Sequence, residues 1–144
     1  MSLITATENR VFENCIRDFH VYLTLEKFLV EQCFDWLNVK LEGKILNGDG
    51  VLEIGKNSYF VMLKYSPFFS FRFDRIFIKD KSIQYNKDIH LYRDMSLCLY
   101  HPVIDKPLDG IIPLYKMLPW ISEWCIFYEE WKKYGVWLGR QIEH

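Results

Sequence analysis

The chain has 144 residues and a formal net charge of −1, and half of its residues are hydrophobic. This length fits one domain with a substantial core, so we expect residues 1–144 to form a single domain. The near-neutral charge argues against a general nucleic-acid-binding protein, which normally carries a basic excess. No apolar run approaches the roughly 20 residues that a membrane span needs.

The four cysteines, at positions 15, 33, 98 and 125, form no CxxC pair and no compact disulfide framework. With no signal peptide, this predicts reduced thiols in a cytoplasmic protein. We expect no cofactor and no membrane partner.

The first predicted element is a helix over residues 8–34. Apolar side chains recur there at the three- and four-residue spacing of one helical face, and charged residues occupy the other face. Cys15 and Cys33 lie in this apolar pattern, which favours buried, structural thiols for both.

The pattern then changes to the two-residue period of β-strands. Alternation over 39–45 predicts a first strand, and Asn47-Gly48-Asp49-Gly50 predicts a hairpin turn because these residues accept positive φ. A second strand region covers 51–65, interrupted at 55–57, and phenylalanines alternate with polar residues over 69–74. Such closely spaced strands are best satisfied by an antiparallel meander of about four strands.

The last third is rich in proline and tryptophan. Three prolines between positions 102 and 113 argue against one regular helix there. Pro119 is expected in the first turn of a closing helix, and Gly135 is expected to end it. The tryptophans at 120, 124, 131 and 137 could form a stacking platform for bases or sugars, but their helical spacing favours core positions.

One segment concentrates reactive side chains. Cys98 lies between His90 and His101, with Asp94 four residues before it. A thiol is nucleophilic only as the thiolate, and polar or cationic neighbours are what lower its pKa from about 8.5. The cysteine at position 125 is in apolar helical sequence, which leaves Cys98 as the candidate nucleophile.

The same residues allow a different interpretation. His90, Cys98 and His101 could be metal ligands, with Cys98-x-x-His101 as a local pair. No fourth ligand is evident in the sequence, so we predict no metal site.

The order of these elements, with a cysteine after the meander and before C-terminal helices, resembles the ubiquitin-conjugating enzyme fold. The finer pattern resembles bacterial members of that superfamily, found in CBASS antiphage operons beside a cGAS-like nucleotidyltransferase. The residues that carry this resemblance are His90-x-Tyr92-x-Asp94-x-x-Leu97-Cys98-Leu99-Tyr100-x-Pro102, Ile112-Pro113, Pro119-Trp120-Ile121-Ser122-Glu123-Trp124, Tyr128-Glu129-x-Trp131 and Tyr134-Gly135-x-Trp137-Leu138-Gly139-x-x-Ile142-x-His144.

The resemblance implies an α+β fold with an N-terminal helix, a meander, an active-site loop and C-terminal helices. It also implies an acyl transferase in antiphage defence, in which Cys98 holds the C-terminus of a partner, the cGAS-like nucleotidyltransferase, as a thioester. A target amine then attacks this thioester. No activating domain is fused to the chain, so activation requires a separate enzyme or is bypassed.

The other site residues receive supporting roles. His90 would brace the loop or act directly, if the intervening segment folds back onto Cys98. His101 would lower the pKa of the thiol or accept a proton, since imidazole titrates near neutrality. Asp94 or Asp105 would orient the incoming amine.

The chain departs from the eukaryotic pattern at one position. The usual His-Pro-Asn appears as His90-Leu91-Tyr92, without the asparagine that stabilises an oxyanion. The missing donor would then be a loop amide, Ser96 or His101.

Two other functions remain open. One is a binding module of the same fold that holds a ubiquitin-like or nucleotidyltransferase tail without conjugation. The other is a thiol hydrolase acting on the same linkage, with His90 or His101 as the base. Catalysis by the acyl transferase or by the hydrolase requires the Cys98 sulfur to be accessible to water and ionisable.

Overall fold

The computed structural model of the protein describes residues 19–69, 72–100 and 111–139. A helix comes first, four strands follow, and a second long helix comes last. The elements are α1 (Phe19–Cys33), β1 (Leu37–Glu42), β2 (Ile45–Ile54), β3 (Asn57–Tyr65), β4 (Asp74–Ile78), a 3-10 helix (Lys87–Ile89) and α2 (Leu114–Tyr134). The predicted α+β class and the four-stranded meander are confirmed. The first part of the predicted N-terminal helix lies outside the described residues.

The four strands form one antiparallel sheet in the order β1-β2-β3-β4, so every strand pairs with its neighbour in sequence. Two-residue loops, Gly43-Lys44 and Gly55-Lys56, connect the first three strands, because Glu42 pairs with Ile45 and Ile54 pairs with Asn57. Each loop begins with a glycine at positive φ, +62° and +60°. Glycine adopts this conformation without steric cost, so these two positions determine where the chain reverses.

The hairpin turn that we predicted at Asn47-Gly48-Asp49-Gly50 is wrong. These residues lie in the middle of β2, with both glycines buried. A Cβ at Gly50 would lie 2.1 Å from the carbonyl oxygen of Trp36, and a Cβ at Gly48 would lie 3.0 Å from Leu63 Cγ. The glycines therefore permit close approach of neighbouring chain within the sheet rather than a turn.

The last strand begins later than the alternation over 69–74 predicts. Strand β4 starts at Asp74, and the backbone N–H of Ser66 donates to the carbonyl of Phe73 at 2.9 Å across the connection from β3. Residues 70 and 71 lie outside the described residues. The shift leaves Arg72 just before the edge strand and Asp74 as its first residue, and both contribute to the candidate site below.

The core forms where both helices pack against the sheet. Helix α1 packs on β1 and β2, and α2 packs on α1 and β2. A buried hydrogen bond joins Tyr22 of α1 to Tyr65 of β3, and Tyr65 donates in turn to the carbonyl of Ile112 at 2.9 Å. The buried carboxylate of Glu26 accepts a hydrogen bond from the Tyr115 backbone N–H at 3.2 Å, which ties α1 to the first turn of α2.

Helix α2 begins earlier than a first-turn position for Pro119 predicts. It starts at Leu114, so Pro119 lies inside the helix and not in its first turn. The prediction that Gly135 ends the helix is confirmed: its φ is +72°, and its N–H donates to the Trp131 carbonyl at 2.7 Å. Within the described ranges, no helix is long and apolar enough to cross a membrane.

The tryptophans are largely core residues, as their spacing predicts. Trp124 is buried in α2 and Trp137 is buried just after it, while Trp120 and Trp131 pack partly buried against the same core. The Trp124 indole N–H also donates to the Ile89 carbonyl at 2.8 Å, which ties α2 to the segment before the candidate site.

Candidate functional site

The segment that carries Cys98 folds into a small hairpin at the edge of the sheet. Leu91 pairs with Leu97 in an antiparallel bridge, and the Tyr92 N–H donates to the Ser96 carbonyl at 2.8 Å. Met95, at a φ of +74°, completes the tight reversal between them. The Leu97 N–H then donates to the carbonyl of Ile76 at 2.8 Å, which attaches this hairpin to β4.

The hairpin folds His90 back onto Cys98 through the backbone. The Cys98 N–H donates to the His90 carbonyl at 2.9 Å, and His90 adopts a left-handed conformation with a φ of +57°. Its imidazole is buried and packs on the Trp137 ring, with centroids 4.9 Å apart. The backbone of His90 therefore holds the loop at Cys98; the role of its side chain, whether bracing the loop or direct chemistry, stays a prediction.

The thiol of Cys98 lies among polar groups. Its Sγ donates to the Tyr100 carbonyl at 3.7 Å, and the Tyr92 side chain is hydrogen-bonded to it. Burial raises the pKa of the thiol to about 11, and the Asp74 carboxylate adds to this rise. The Tyr92 hydrogen bond, a backbone hydrogen bond at Tyr100 and the Arg72 charge lower the pKa and recover only part of the shift.

The Cys98 side chain is less accessible to solvent than catalysis requires. Cys98 is only 2% exposed, so the expectation of a water-accessible, readily ionised sulfur is not met in this conformation. The sequence placed polar residues beside Cys98, but it did not indicate that the fold covers them. The surroundings are nevertheless polar, with a phenol, a guanidinium and a carboxylate, and not the apolar interior expected of a purely structural thiol.

Arg72 organises this cluster. Its guanidinium lies over the Tyr92 ring, 3.6 Å from the centroid, and its Nη2 donates to Ser96 Oγ at 2.5 Å and to Asp94 Oδ2 at 3.3 Å. Its Nη1 lies 3.7 Å from Asp74 Oδ2. The Arg72 side chain is 12% exposed and Asp74 is buried, so water screens the attraction between these two side chains only weakly.

Asp74 is a fully buried carboxyl group. Its Oδ1 accepts from the Tyr100 hydroxyl at 3.0 Å. Desolvation raises the pKa of Asp74 above its ordinary value, although Arg72 and Tyr100 both favour the charged form. Desolvation and the adjacent carboxylate also raise the pKa of Tyr100, which keeps that phenol a donor.

Asp94 stabilises the tip of the hairpin. Its Oδ1 accepts from the backbone N–H of Ser96 at 2.9 Å and from Ser96 Oγ at 2.5 Å. Burial opposes ionisation, but the Ser96 hydrogen bonds and the Arg72 charge outweigh it and hold the pKa of Asp94 below its ordinary value. The structure thus brings Asp94 to Arg72 at the edge of the cluster; its role towards an incoming amine stays a prediction.

The remaining predicted residues are divided. His101 and Asp105 lie outside the described residues, as does Cys15. Cys33 is exposed at the end of α1, so its assignment as a buried thiol is wrong. Cys125 is buried, and desolvation with the neighbouring Glu129 raises its pKa to about 12. Within the described ranges, no group of three His, Cys, Asp or Glu side chains could hold a metal ion.

Sequence reasoning missed four members of the cluster: Arg72, Asp74, Tyr92 and Tyr100. Arg72 and Asp74 carry no motif, and they reach the thiol only because the hairpin docks on β4. Tyr92 had a usable signal, since it occupies the position where the eukaryotic pattern has asparagine.

The fold and the site together define an α+β protein with a cysteine-bearing hairpin attached to the edge of an antiparallel sheet. A family model described as type II CBASS E2 protein matches residues 26–144. The chain belongs to this family, which confirms the resemblance noted from the sequence. No curated protein and no solved structure matches the chain. The protein therefore has an E2-like role in CBASS, alongside protein partners.

Proposed function

We propose that this E2 protein carries an acyl group on Cys98 and transfers it to an amine. The observation that carries the proposal is the polar cluster around the thiol, in a chain of the type II CBASS E2 family. The Tyr92 hydrogen bond and the Arg72 charge both favour the thiolate, which is the form that attacks a carbonyl.

The reaction has two steps. The Cys98 thiol loses its proton to solvent, and the thiolate adds to the carbonyl of an activated C-terminal carboxyl, an acyl adenylate or an acyl thioester. The C–S bond forms, and the adenylate or thiol leaves. A lysine amine of the acceptor then attacks the thioester, the amide bond forms, the amine loses a proton, and Cys98 departs as a thiolate.

The cargo that we propose is the C-terminus of a cGAS-like nucleotidyltransferase, activated by a separate protein. We also propose a ubiquitin-conjugating-like fold for the chain as a whole, as one domain over residues 1–144. Transfer requires the thiol to become accessible, because Cys98 is 2% exposed and its pKa is about 11. Docking of the partner tail at the hairpin would supply this opening.

A non-catalytic binding module is the second candidate, and the same burial favours it. A covered thiol with a raised pKa is poorly suited to unassisted nucleophilic attack. In this alternative, the hairpin and its cluster would be a rigid platform that holds the tail without a covalent bond.

A peptide thioester separates the two functions without an activating enzyme. A peptide with the nucleotidyltransferase C-terminal sequence, prepared as a mercaptoethanesulfonate thioester, is incubated with the protein and analysed by intact mass and non-reducing gel. We expect an adduct that dithiothreitol removes and that Cys98→Ala abolishes. Cys125→Ala is the matched control, since it also removes a buried thiol, and its adduct should equal that of the wild type.

The alternative outcomes are distinct. Peptide binding by the wild type and Cys98→Ala with equal affinity, without any adduct, would establish the binding module and refute transfer. A wild-type adduct that transfers to added lysine would establish the acyl transferase.

A further inference from the structure

The hydroxyl of Tyr92 occupies the position from which a donor would act on Cys98. The hairpin places residue 92 across from residue 96 by the 2.8 Å hydrogen bond between their backbones, and the bridge from Leu91 to Leu97 aligns the two arms. The side chain of Tyr92 consequently reaches Cys98 and is hydrogen-bonded to it.

The Tyr92 ring is held in this orientation. The Arg72 guanidinium lies 3.6 Å from the ring centroid, and Ser96 and Asp94 bind the same guanidinium at 2.5 and 3.3 Å. A stacked cation fixed by two further hydrogen bonds leaves the phenol few alternatives, and catalytic donors require such preorganisation. Burial raises the pKa of Tyr92, so its O–H remains protonated at neutral pH.

We propose that Tyr92 is a catalytic residue whose phenol O–H donates to the Cys98 sulfur and, during acyl transfer, to the oxyanion on the attacked carbonyl. Arg72 is a positioning residue that holds the ring. The oxyanion part rests on the acyl transfer proposed above; the activation of the thiol does not.

The chemistry is consistent over both steps. A hydrogen bond to a thiolate is charge-assisted and stronger than one to a neutral thiol, so it favours ionisation. The oxyanion forms one carbon away from the same sulfur, within the range of the same donor. When the amine displaces Cys98, the phenol again stabilises the departing thiolate. Tyr92 would thus replace the asparagine that the eukaryotic pattern has at this place.

Thiol reactivity tests the first part. Iodoacetamide alkylation of Cys98 is followed from pH 6 to 10 by peptide-resolved mass spectrometry in the full-length protein. Tyr92→Phe keeps the ring and its stack on Arg72 but removes the donor, and we expect roughly ten- to a hundredfold slower alkylation at pH 8. Tyr59→Phe is the matched control, because that buried tyrosine donates its hydroxyl to Glu129 outside the cluster, and it should react as fast as the wild type.

Two results would overturn the proposal: Tyr92→Phe reacting as fast as the wild type, or Tyr59→Phe slowing the reaction equally. Thermal unfolding verifies that both variants fold. Replacing Tyr92 by 3-fluorotyrosine gives a second test that retains the hydroxyl. The more acidic phenol is a stronger donor, so alkylation at pH 7 should accelerate, and an unchanged rate would contradict the assignment.

The peptide thioester reaction tests the second part. We expect Tyr92→Phe to lower the rate of adduct formation about 10²- to 10³-fold, the usual effect of losing an oxyanion donor, at saturating peptide. A rate loss equal to the alkylation loss would refute the oxyanion role and leave only thiol activation. If the wild type forms no thioester, acyl transfer and the oxyanion role both fail, and the alkylation series still decides whether Tyr92 activates the thiol.

Discussion

At the scale of single residues, the reactivity of Cys98 depends on a competition between opposing groups. Burial and Asp74 raise the pKa of the thiol, whereas Tyr92 and Arg72 lower it. Asp74 opposes ionisation of the thiol, although its carboxylate lies 3.7 Å from Arg72, the cation that favours ionisation. The carboxylate therefore moderates a thiol that Arg72 alone would activate more strongly.

Asp74→Asn should make Cys98 more reactive. The amide removes the negative charge that disfavours the thiolate, and its oxygen can still accept from the Tyr100 hydroxyl. We expect the alkylation profile of Cys98 to move to lower pH, with a severalfold faster rate at pH 8. Asp94→Asn is the control, because its carboxylate lies at the exposed edge of the cluster and should change the profile little. Slower alkylation in Asp74→Asn would contradict this account.

The sequence could predict only the part of the site that is local in the chain. His90, Asp94 and Cys98 were predicted to come together because they lie within nine residues. Arg72 and Asp74 lie 26 and 24 residues before Cys98, and they join the site through the pairing of the hairpin with β4. The exposure of the sulfur was also beyond local patterns, because it depends on which side chains from other elements cover it.

At the scale of elements, the glycines explain both the success and the error of the sheet prediction. Alternation correctly predicted an antiparallel meander, and the interruption at 55–57 coincides with the loop between β2 and β3. The turn predicted at 47–50 was wrong, because glycine also occurs within strands where neighbouring chains pack closely. A single sequence does not distinguish these two uses, whereas the positive φ at Gly43 and Gly55 does.

Gly50→Ala should destabilise the protein more than Gly48→Ala. A Cβ at Gly50 meets the backbone carbonyl of Trp36 at 2.1 Å, and backbone cannot move without disturbing β1. At Gly48 the nearest atom is 3.0 Å away in the Leu63 side chain, which can rotate. We expect a loss of about 1–3 kcal/mol for Gly50→Ala and a smaller loss for Gly48→Ala, measured by urea unfolding. Equal losses would show that the carbonyl contact is relieved at little cost.

At the scale of the whole molecule, Glu26 links α1 to the start of α2. The carboxylate on α1 accepts from the backbone of Tyr115, 89 residues later, at the start of α2. Pro113 precedes that helix without a side-chain cap, so Glu26 supplies an acceptor that the local sequence lacks. This long-range cap fixes α2, and with it the Trp124 contact to Ile89 beside the candidate site.

Glu26→Ala should therefore weaken the entire fold. It removes a fully buried acceptor and leaves a cavity between the helices, which we expect to cost about 2–4 kcal/mol of unfolding free energy. Glu26→Gln keeps an acceptor of nearly the same shape and should lose less. Urea unfolding measures both, and an unchanged midpoint for Glu26→Ala would contradict the capping role.

The dependence of stability on pH combines carboxyl groups with opposite effects. Asp74 has a raised pKa in the folded protein. Its contribution to the free energy of unfolding is therefore fully present below the ordinary carboxyl pKa and is lost as the pH rises through the raised pKa. Asp94 has a lowered pKa, so its contribution is present above the ordinary value and is lost as the pH falls through the folded one. The two side chains share Arg72, yet acid should stabilise the first arrangement and weaken the second.

Urea unfolding of Asp74→Asn and Asp94→Asn at pH 7, 5, 4 and 3 tests these opposite signs. As the pH falls through the raised pKa of Asp74, the wild type gains stability by protonating this carboxyl group, so the unfolding midpoint of Asp74→Asn should fall relative to that of the wild type. Below pH 4 the wild type loses the stability that ionised Asp94 contributes, so the unfolding midpoint of Asp94→Asn should rise relative to that of the wild type. The Asp94 change will be the smaller one, because that side chain is 49% exposed and solvent screens it. If the midpoints of both variants shifted in the same direction relative to the wild type, the two carboxyl groups would both titrate as exposed groups. The buried pairing of Arg72 with Asp74 would then no longer explain the environment of Cys98.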